Sequence, residues 1–301
     1  MERKANNETQ KSLSKVVINW FPGHMVKAIN EIKSSLKLID IVIEVVDCRS
    51  PIASHNYIID EIAENKKRII VMNKADLADD NMSKKWKEHF ESKGMKVIFT
   101  NAQTGENIPK IISAIKELGD EIYKEKLSNK KVEMKPIYRV LIAGIPNVGK
   151  STIINKLSKK NVVKVGNKPG VTTKKQWIRI DNNIELMDTP GILWPKLDEN
   201  NAGIKLALTG NIKLEILDAP ELAIEGIKFF KDNKKYTTML KERYKLTDED
   251  MTLETFEILE KIGKNRGCIV SKGEVDYERV AAIFLDEFKN GKIGKLTLDA
   301  V

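Results

Sequence analysis

Nine consecutive residues, Gly144-Ile145-Pro146-Asn147-Val148-Gly149-Lys150-Ser151-Thr152, have the types and spacing to hold a polyphosphate. They follow the apolar run Val140–Ala143 and precede Ile153, Ile154 and Leu157, so they sit between a buried strand and a helix, the context that G-x-x-x-x-G-K-[ST] requires. The two glycines let the backbone turn the N–H groups of Asn147 to Thr152 inward on phosphate oxygens. Lys150 reaches the β- and γ-phosphates and so serves the chemical step, and Ser151 offers a hydroxyl to Mg²⁺.

Three further stretches complete a nucleotide site. The apolar run Ile184–Met187 delivers Asp188-Thr189-Pro190-Gly191, with Asp188 set to hold Mg²⁺ through a water and the Gly191 amide facing the γ-phosphate. In Pro169-Gly170-Val171-Thr172-Thr173, Thr172 would complete the Mg²⁺ shell, with Thr173 as the alternative. The strand Arg68–Met72 runs into Asn73-Lys74-Ala75-Asp76, a loop that reads the base. The Asp76 carboxylate can accept from both N1–H and the 2-amino group of guanine, donors that adenine does not present there, which argues against an ATP-using enzyme. Asn73 would hold the loop, and the Lys74 stem would lie over the ring. After the strand Lys96–Thr100 comes Asn101-Ala102, where guanine sites usually read Ser-Ala; a backbone contact to the base stays available, and the Asn101 side chain has no assigned role.

Positioning these loops takes an α/β sheet. Strands are predicted at 41–46, 68–72, 96–100, 140–143 and 184–187, with helices around Trp86 and over 106–124. Asp47-Cys48-Arg49-Ser50-Pro51 then forms a loop at a strand's carboxyl end, where ligand sites of such sheets gather. Common GTPases run phosphate loop, threonine switch, D-x-x-G, N-K-x-D and Ser-Ala loop, whereas this chain begins with the last two and finishes with D-x-x-G. The expected fold is therefore a circularly permuted P-loop GTPase domain, a mostly parallel sheet flanked by helices, followed by a small all-α C-terminal domain. Its predicted parts are an arm at 1–15, the GTPase domain at 16–197, a connector at 198–205 and a helical domain at 206–301, to which only the family resemblance given below assigns RNA binding. Helical apolar spacing recurs there at Glu221 to Lys231, Leu253 to Ile262 and Tyr277 to Phe288.

With 301 residues, 41% of them hydrophobic, the chain can bury real cores, and it has no apolar stretch long enough to span a bilayer. The polar N-terminus carries no signal core, and Cys48 and Cys268 stand far apart with no C-x-x-C partner, so a reducing cytoplasm is expected and both are read as small buried hydrophobes. The net charge is +9, yet residues 206–301 hold 16 basic against 18 acidic side chains, so the surplus lies in the first two-thirds. Part of it is a run over 156–179 of eight basic side chains with no acidic one, Lys164, Lys168, Lys174 and Lys175 among them. Such a run beside a phosphate loop suits a polyanion, nucleic acid first. In the helical part, Lys261, Lys264, Arg266 and Lys272 cluster around Gly263 and Gly267 as phosphate-reading candidates.

Residues 16–197 resemble the circularly permuted ribosome-assembly GTPases of the RbgA/YlqF type. The marks are Trp20-Phe21-Pro22-Gly23-His24-Met25, Gly-Ile-Pro-Asn-Val-Gly-Lys-Ser and Pro-Gly-Val-Thr-Thr; relatives of the YjeQ and YqeH type match less well, since their cysteine-rich zinc elements are missing. The resemblance implies a GTPase that binds the large ribosomal subunit or its rRNA late in assembly and hydrolyses GTP slowly until the subunit stimulates it. It also implies that His24 acts on the attacking water, because Ile192 stands where simpler GTPases place a glutamine, and that Asn147 coordinates K⁺. A monomer is expected. The rival reading is a GTP-gated RNA-binding scaffold in which hydrolysis is incidental.

Overall fold

The structure, a computed structural model, describes residues 29–30, 32–128, 137–160, 162, 176–189, 191, 193, 201–213 and 218–301. Six strands form one sheet: β1 (Ile41–Asp47), β2 (Lys67–Asn73), β3 (Lys96–Thr100), β4 (Tyr138–Ala143), β5 (Gln176–Asp181) and β6 (Ile184–Asp188), in the order β3-β2-β1-β4-β6-β5. All neighbours are parallel except β5, which returns along β6 as an antiparallel edge. β1 is buried throughout, and six of its seven residues being apolar or a paired Asp suits a strand covered on both faces. The chain thus enters at the middle of the sheet, builds outward to β3, and returns beside β1 to build the other half. This is the strand order that the permuted motifs require.

The ladders are in step where chemistry is expected. Asp47 pairs with Asn73, Asn73 with Thr100, and Ile142 with Asp188, so the loops that follow β1, β2, β3, β4 and β6 leave from one edge. Helix α1 (Tyr57–Ile62) and α2 (Asp80–Ser92) cover one face of the sheet, α3 (Ile108–Ser128) and α4 (Lys150–Ser158) the other. Ile41, Ile43 and Val45 pack with Ile111, Ile115 and Ile153, while Val46, Ile70 and Met72 pack with Trp86 and Phe90.

Helices α5 (Ala202–Leu208), α6 (Ala219–Asp232), α7 (Lys234–Tyr244), α8 (Thr255–Asn265) and α9 (Tyr277–Lys289) follow. A capping box of Asp218 and Glu221 starts α6, and α6 to α9 surround a core that includes Phe230, Leu240, Ile262 and Phe284. α5 serves both cores: Ala202 and Leu206 pack with the sheet, Leu208 with the helices. After α9 the chain returns to the sheet, where Leu298 N–H donates to Arg49 O at 2.7 Å and Asp299 Oδ2 accepts from the Ile52 and Ala53 amides at 2.8 and 3.0 Å.

Strand β5 was not foreseen. Gln176, Trp177 and Arg179 are exposed on it, so the apolar alternation that marks a half-buried strand is nearly absent. α7 was likewise missed, because its buried residues, Tyr236, Leu240 and Tyr244, are spaced four apart among lysines. Cys48 and Cys268 are both buried, as expected of small hydrophobes; burial pushes the Cys48 thiol up to about 12.

Candidate nucleotide site

The phosphate loop joins β4 to α4. Gly149 sits at φ +106°, and a Cβ there would come within 2.2 Å of Asn73 Nδ2, so only glycine suits the position. Lys150 is buried, and its ammonium donates to Gly144 O at 2.9 Å and Ile145 O at 2.8 Å. Burial lowers its pKa to about 8, with Asp188 opposing the shift. An ammonium at a helix start, held by loop carbonyls, is suited to receive phosphate oxygens.

The D-x-x-G turn is pressed against this loop. Thr189 Oγ1 donates to Ile142 O at 2.8 Å, and a Cβ on Gly191 would lie 2.8 Å from Pro146 N. Asp188 is fully buried at the end of β6, and Ser151 lies in the first turn of α4. A carboxylate at the end of β6 and a hydroxyl at the start of α4, which follows the neighbouring strand β4, are hard oxygen donors of the kind Mg²⁺ takes, so the residues fit that ion.

At the base end, Asn73 ties three loops together. Its Nδ2 donates to Val148 O at 2.7 Å, and its Oδ1 accepts from Thr100 Oγ1 at 3.2 Å and from the Ala102 amide at 3.0 Å. Lys74 has left-handed backbone at φ +59°, and its ammonium donates to Asp47 Oδ2 at 2.8 Å. Ala75 and Asp76 follow in a short 3-10 turn that leaves Asp76 exposed. Asn101 Oδ1 accepts from the Gln103 and Thr104 amides at 3.0 and 3.2 Å, an Asx turn, which supplies the side-chain role that sequence left open: it shapes its own loop.

These loops surround a cavity of about 460 Å³ lined by Asn73, Lys74, Asp76, Asn101, Ala102, Asn147, Gly149 and Thr152, all sequence-predicted. That volume suits a small-molecule ligand. Arg49, from the loop after β1 where a ligand site was expected to gather, lines it as well, and so do Thr209, Gly210, Lys289 and Asn290, which were not foreseen. Arg49, 1% exposed, donates from Nε and Nη2 to the Asp47 carboxylate at 3.0 and 2.8 Å, from Nη1 to Lys289 O at 2.7 Å and from Nη2 to Thr209 O at 2.8 Å. Burial alone would raise Asp47, but Arg49 and Lys74 beside it hold its carboxyl well below the usual range. The available signal was an Asp and an Arg two residues apart at the end of an apolar strand, able to pair with each other in a loop at a strand's carboxyl end.

Of the RNA candidates, Lys261 pairs with Asp250 at 3.2 Å, Lys264 with Glu260 at 2.6 Å, and Arg266 with Glu287 at 2.7 Å. Their charges are already partnered. His24, Lys164, Lys168, Thr172, Thr173, Lys174, Lys175 and the side chain of Lys272 lie outside the described residues.

Comparison with known proteins decides the family. The chain is 47% identical over 286 residues, 94% of each chain, to Ribosome biogenesis GTPase A of Bacillus cereus, and 32% identical over 282 residues, again 94% of each, to the protein of that name from Thermotoga maritima. This chain belongs to the ribosome biogenesis GTPase A family. It is a GTPase: it binds GTP and GDP and hydrolyses GTP, with the Mg²⁺ dependence general to such enzymes. A family model described as 50S ribosome-binding GTPase matches residues 139–265, and one described as RsgA GTPase matches 34–198. Mitochondrial ribosome-associated GTPase 1 of Bos taurus is 32% identical over 94% of this chain and 89% of its own. Among solved structures, GDP-bound YlqF aligns with a TM-score of 0.62 at 30% identity, covering 89% of this chain and 98% of that one. GNP-bound YlqF from T. maritima aligns at 0.59 and 29%, covering 91% and 97%.

Proposed function

We propose that this GTPase acts in the cytoplasm, as a monomer, late in assembly of the large ribosomal subunit, binding the subunit or its precursor through rRNA and hydrolysing GTP faster when bound. The observation that carries this reading is the likeness, over 94% of both chains, to a protein named for ribosome biogenesis. Within the described residues no helix is long and apolar enough to cross a membrane.

In the reaction, the oxygen of a water attacks the γ-phosphorus of GTP, the bond to the β–γ bridging oxygen breaks, and GDP and phosphate leave. Lys150, already charged in its buried seat below about pH 8, offsets charge on the β- and γ-phosphate oxygens. Mg²⁺, when bound, neutralises phosphate charge; Ser151, Asp188 through a water, and Thr172 or Thr173 would hold it. Asp76 selects guanine, and Asn73, Ala75, Asn101, Ala102, Val148 and Thr152 shape the walls. Asn147 Nδ2 donates to Asn211 O at 3.0 Å, and its Oδ1 is the atom that would take K⁺. Since Ile192 cannot orient a water, His24 takes that task with a neutral imidazole. The basic side chains Lys164, Lys168, Lys174, Lys175 and Lys272 provide the RNA contacts, joined by Lys261, Lys264 and Arg266 where phosphate displaces their carboxylate partners.

The test is GTP turnover by the purified protein with and without large ribosomal subunits, in K⁺ and in Na⁺. Strong stimulation by the large subunit is expected, greater in K⁺, and His24→Ala should lose it while keeping its GTP affinity. Nucleotide-dependent RNA binding with no stimulation by either subunit would replace this reading with the scaffold.

A further inference from the structure

The residues that complete the nucleotide cavity beyond the five motifs come from the helical half. Thr209, Gly210, Lys289 and Asn290 line it, although they lie far along the chain from the base loop at 73–76. Behind them is Asn211, fully buried, with its polar groups shared between the two halves. Its Nδ2 donates to Asp47 Oδ2 at 3.1 Å and to Thr209 Oγ1 at 2.9 Å, its Oδ1 accepts from Lys74 Nζ at 3.1 Å, and its backbone oxygen accepts from Asn147 Nδ2 at 3.0 Å. One residue therefore fixes the lysine of the base loop and the asparagine of the phosphate loop together.

We infer that the turn Thr209-Gly210-Asn211, with Lys289 at the end of α9, is a further element of the guanine-nucleotide site, in which Asn211 is a positioning residue for Lys74 and Asn147 and Lys289 is part of the pocket wall.

The physical reason lies in what Lys74 must do. Its stem can lie on a purine only if its ammonium has fixed acceptors, and those acceptors are Asp47 and Asn211. A buried polar group stripped of one partner costs about 1–3 kcal/mol, enough to let the side chain leave that geometry. Gly210, at φ +73°, keeps the turn flat against the Lys289 stem; a Cβ there would come within 2.7 Å of Lys289 Cδ. The Lys289 ammonium has no ion-pair partner among the described residues, and Lys289 lines the same cavity as Lys74. With Lys74 held by Asp47 and Asn211, Lys289 adds a further cation to the cavity wall, which favours an anionic ligand such as a nucleotide.

The inference rests on guanine nucleotide occupying this cavity, and release of a fluorescent GDP derivative from the full chain tests the two separately. If the wild-type protein does not bind the derivative, the assignment of the cavity itself fails. If it does, Asn211→Ala should release it roughly ten- to a hundredfold faster. Lys74→Ala/Asn211→Ala should release it at the rate of Lys74→Ala alone, because Asn211 acts on the base through Lys74. Multiplicative effects, or an unchanged rate in a folded Asn211→Ala, would overturn the positioning role. Lys289→Ala changes an exposed side chain that folding does not need, so it remains informative should Asn211→Ala fail to fold. It should speed release several-fold, and an unchanged rate would remove the helical half from the site.

Discussion

Two buried ion networks hang from the same strand, and they are built to opposite ends. Glu44 and Asp47 are three residues apart on β1 and so point to opposite faces of the sheet. Glu44 accepts from Arg68 Nη2 at 2.7 Å and the Asn56 amide at 2.7 Å, and lies 3.0 Å from His55 Nδ1; His55 Nε2 and Arg68 both reach on to Asp60. Two carboxylates meet two cations, and the group closes on itself. Its three potential metal ligands, Glu44, His55 and Asp60, are spent on these ion pairs. Around Asp47, by contrast, one carboxylate faces Arg49 and Lys74, with Lys289 on the rim of the same cavity. Buried charge left unbalanced is costly unless something offsets it, and here the excess is positive and faces a ligand cavity. A neutral network suits a role in the fold, and one with surplus positive charge on a cavity suits binding of an anion.

The largest effect expected from breaking this contrast follows Asp47→Asn, which leaves the buried Arg49 and the half-buried Lys74 without their carboxylate. It should lower stability in urea denaturation by about 3–5 kcal/mol and also speed GDP release. Glu44→Gln should lower stability and leave GDP release unchanged; equal acceleration by both would mean the networks are not separate.

The closed network also sets a pH window. Burial alone would lower His55, but Glu44 and Asp60 raise it to about 9. Its contribution is therefore complete below the unfolded value near 6.5 and is lost as pH rises through about 9, on the order of 3 kcal/mol in all. His55→Gln should flatten the stability profile across that range in denaturation curves taken at pH 6 to 10. Nucleotide affinity should follow another group: Lys150 titrates near 8, so affinity should fall as pH rises beyond that value whether or not His55 is present.

Asp76 belongs to the cavity and to neither network. Asp76→Ala should reduce the preference for GTP over ATP by about a hundredfold in competition binding, since two hydrogen bonds to a charged acceptor are lost. Stability should stay within about 0.5 kcal/mol, because Asp76 is exposed. The smallest effect expected is that of Lys264→Ala, an exposed pair one helical turn from Glu260 on α8, at less than about 0.5 kcal/mol in thermal denaturation. A larger loss there would show that surface pairs matter in the helical half as they do not elsewhere.

Much of the sheet was legible because its strands are short apolar runs that end in polar loops, and α6, α8 and α9 were legible from helical spacing. β5 was not, since an exposed edge strand carrying Trp177 and Arg179 has no alternation to read, and Arg139 lies over the Trp177 ring instead of a core. The basic cluster of the helical half was visible as charge, but not its pairing with Asp250, Glu260 and Glu287, two of which lie outside the cluster's own helix.

By itself the sequence determined the phosphate loop, the guanine-reading loop and, through their order, the permuted sheet, because each depends on backbone geometry that neighbouring residues impose. The cradle of Lys150, the Asx turn of Asn101 and the αL position of Lys74 are local in this sense. Only the tertiary structure decided that Arg49 would meet Thr209 and Lys289, and that Asn211 would join Asp47, Lys74 and Asn147. Those partners are brought together by the packing of α5 against the sheet and of α9 against α5, and contacts closed over so many intervening residues leave no periodicity in the chain that makes them.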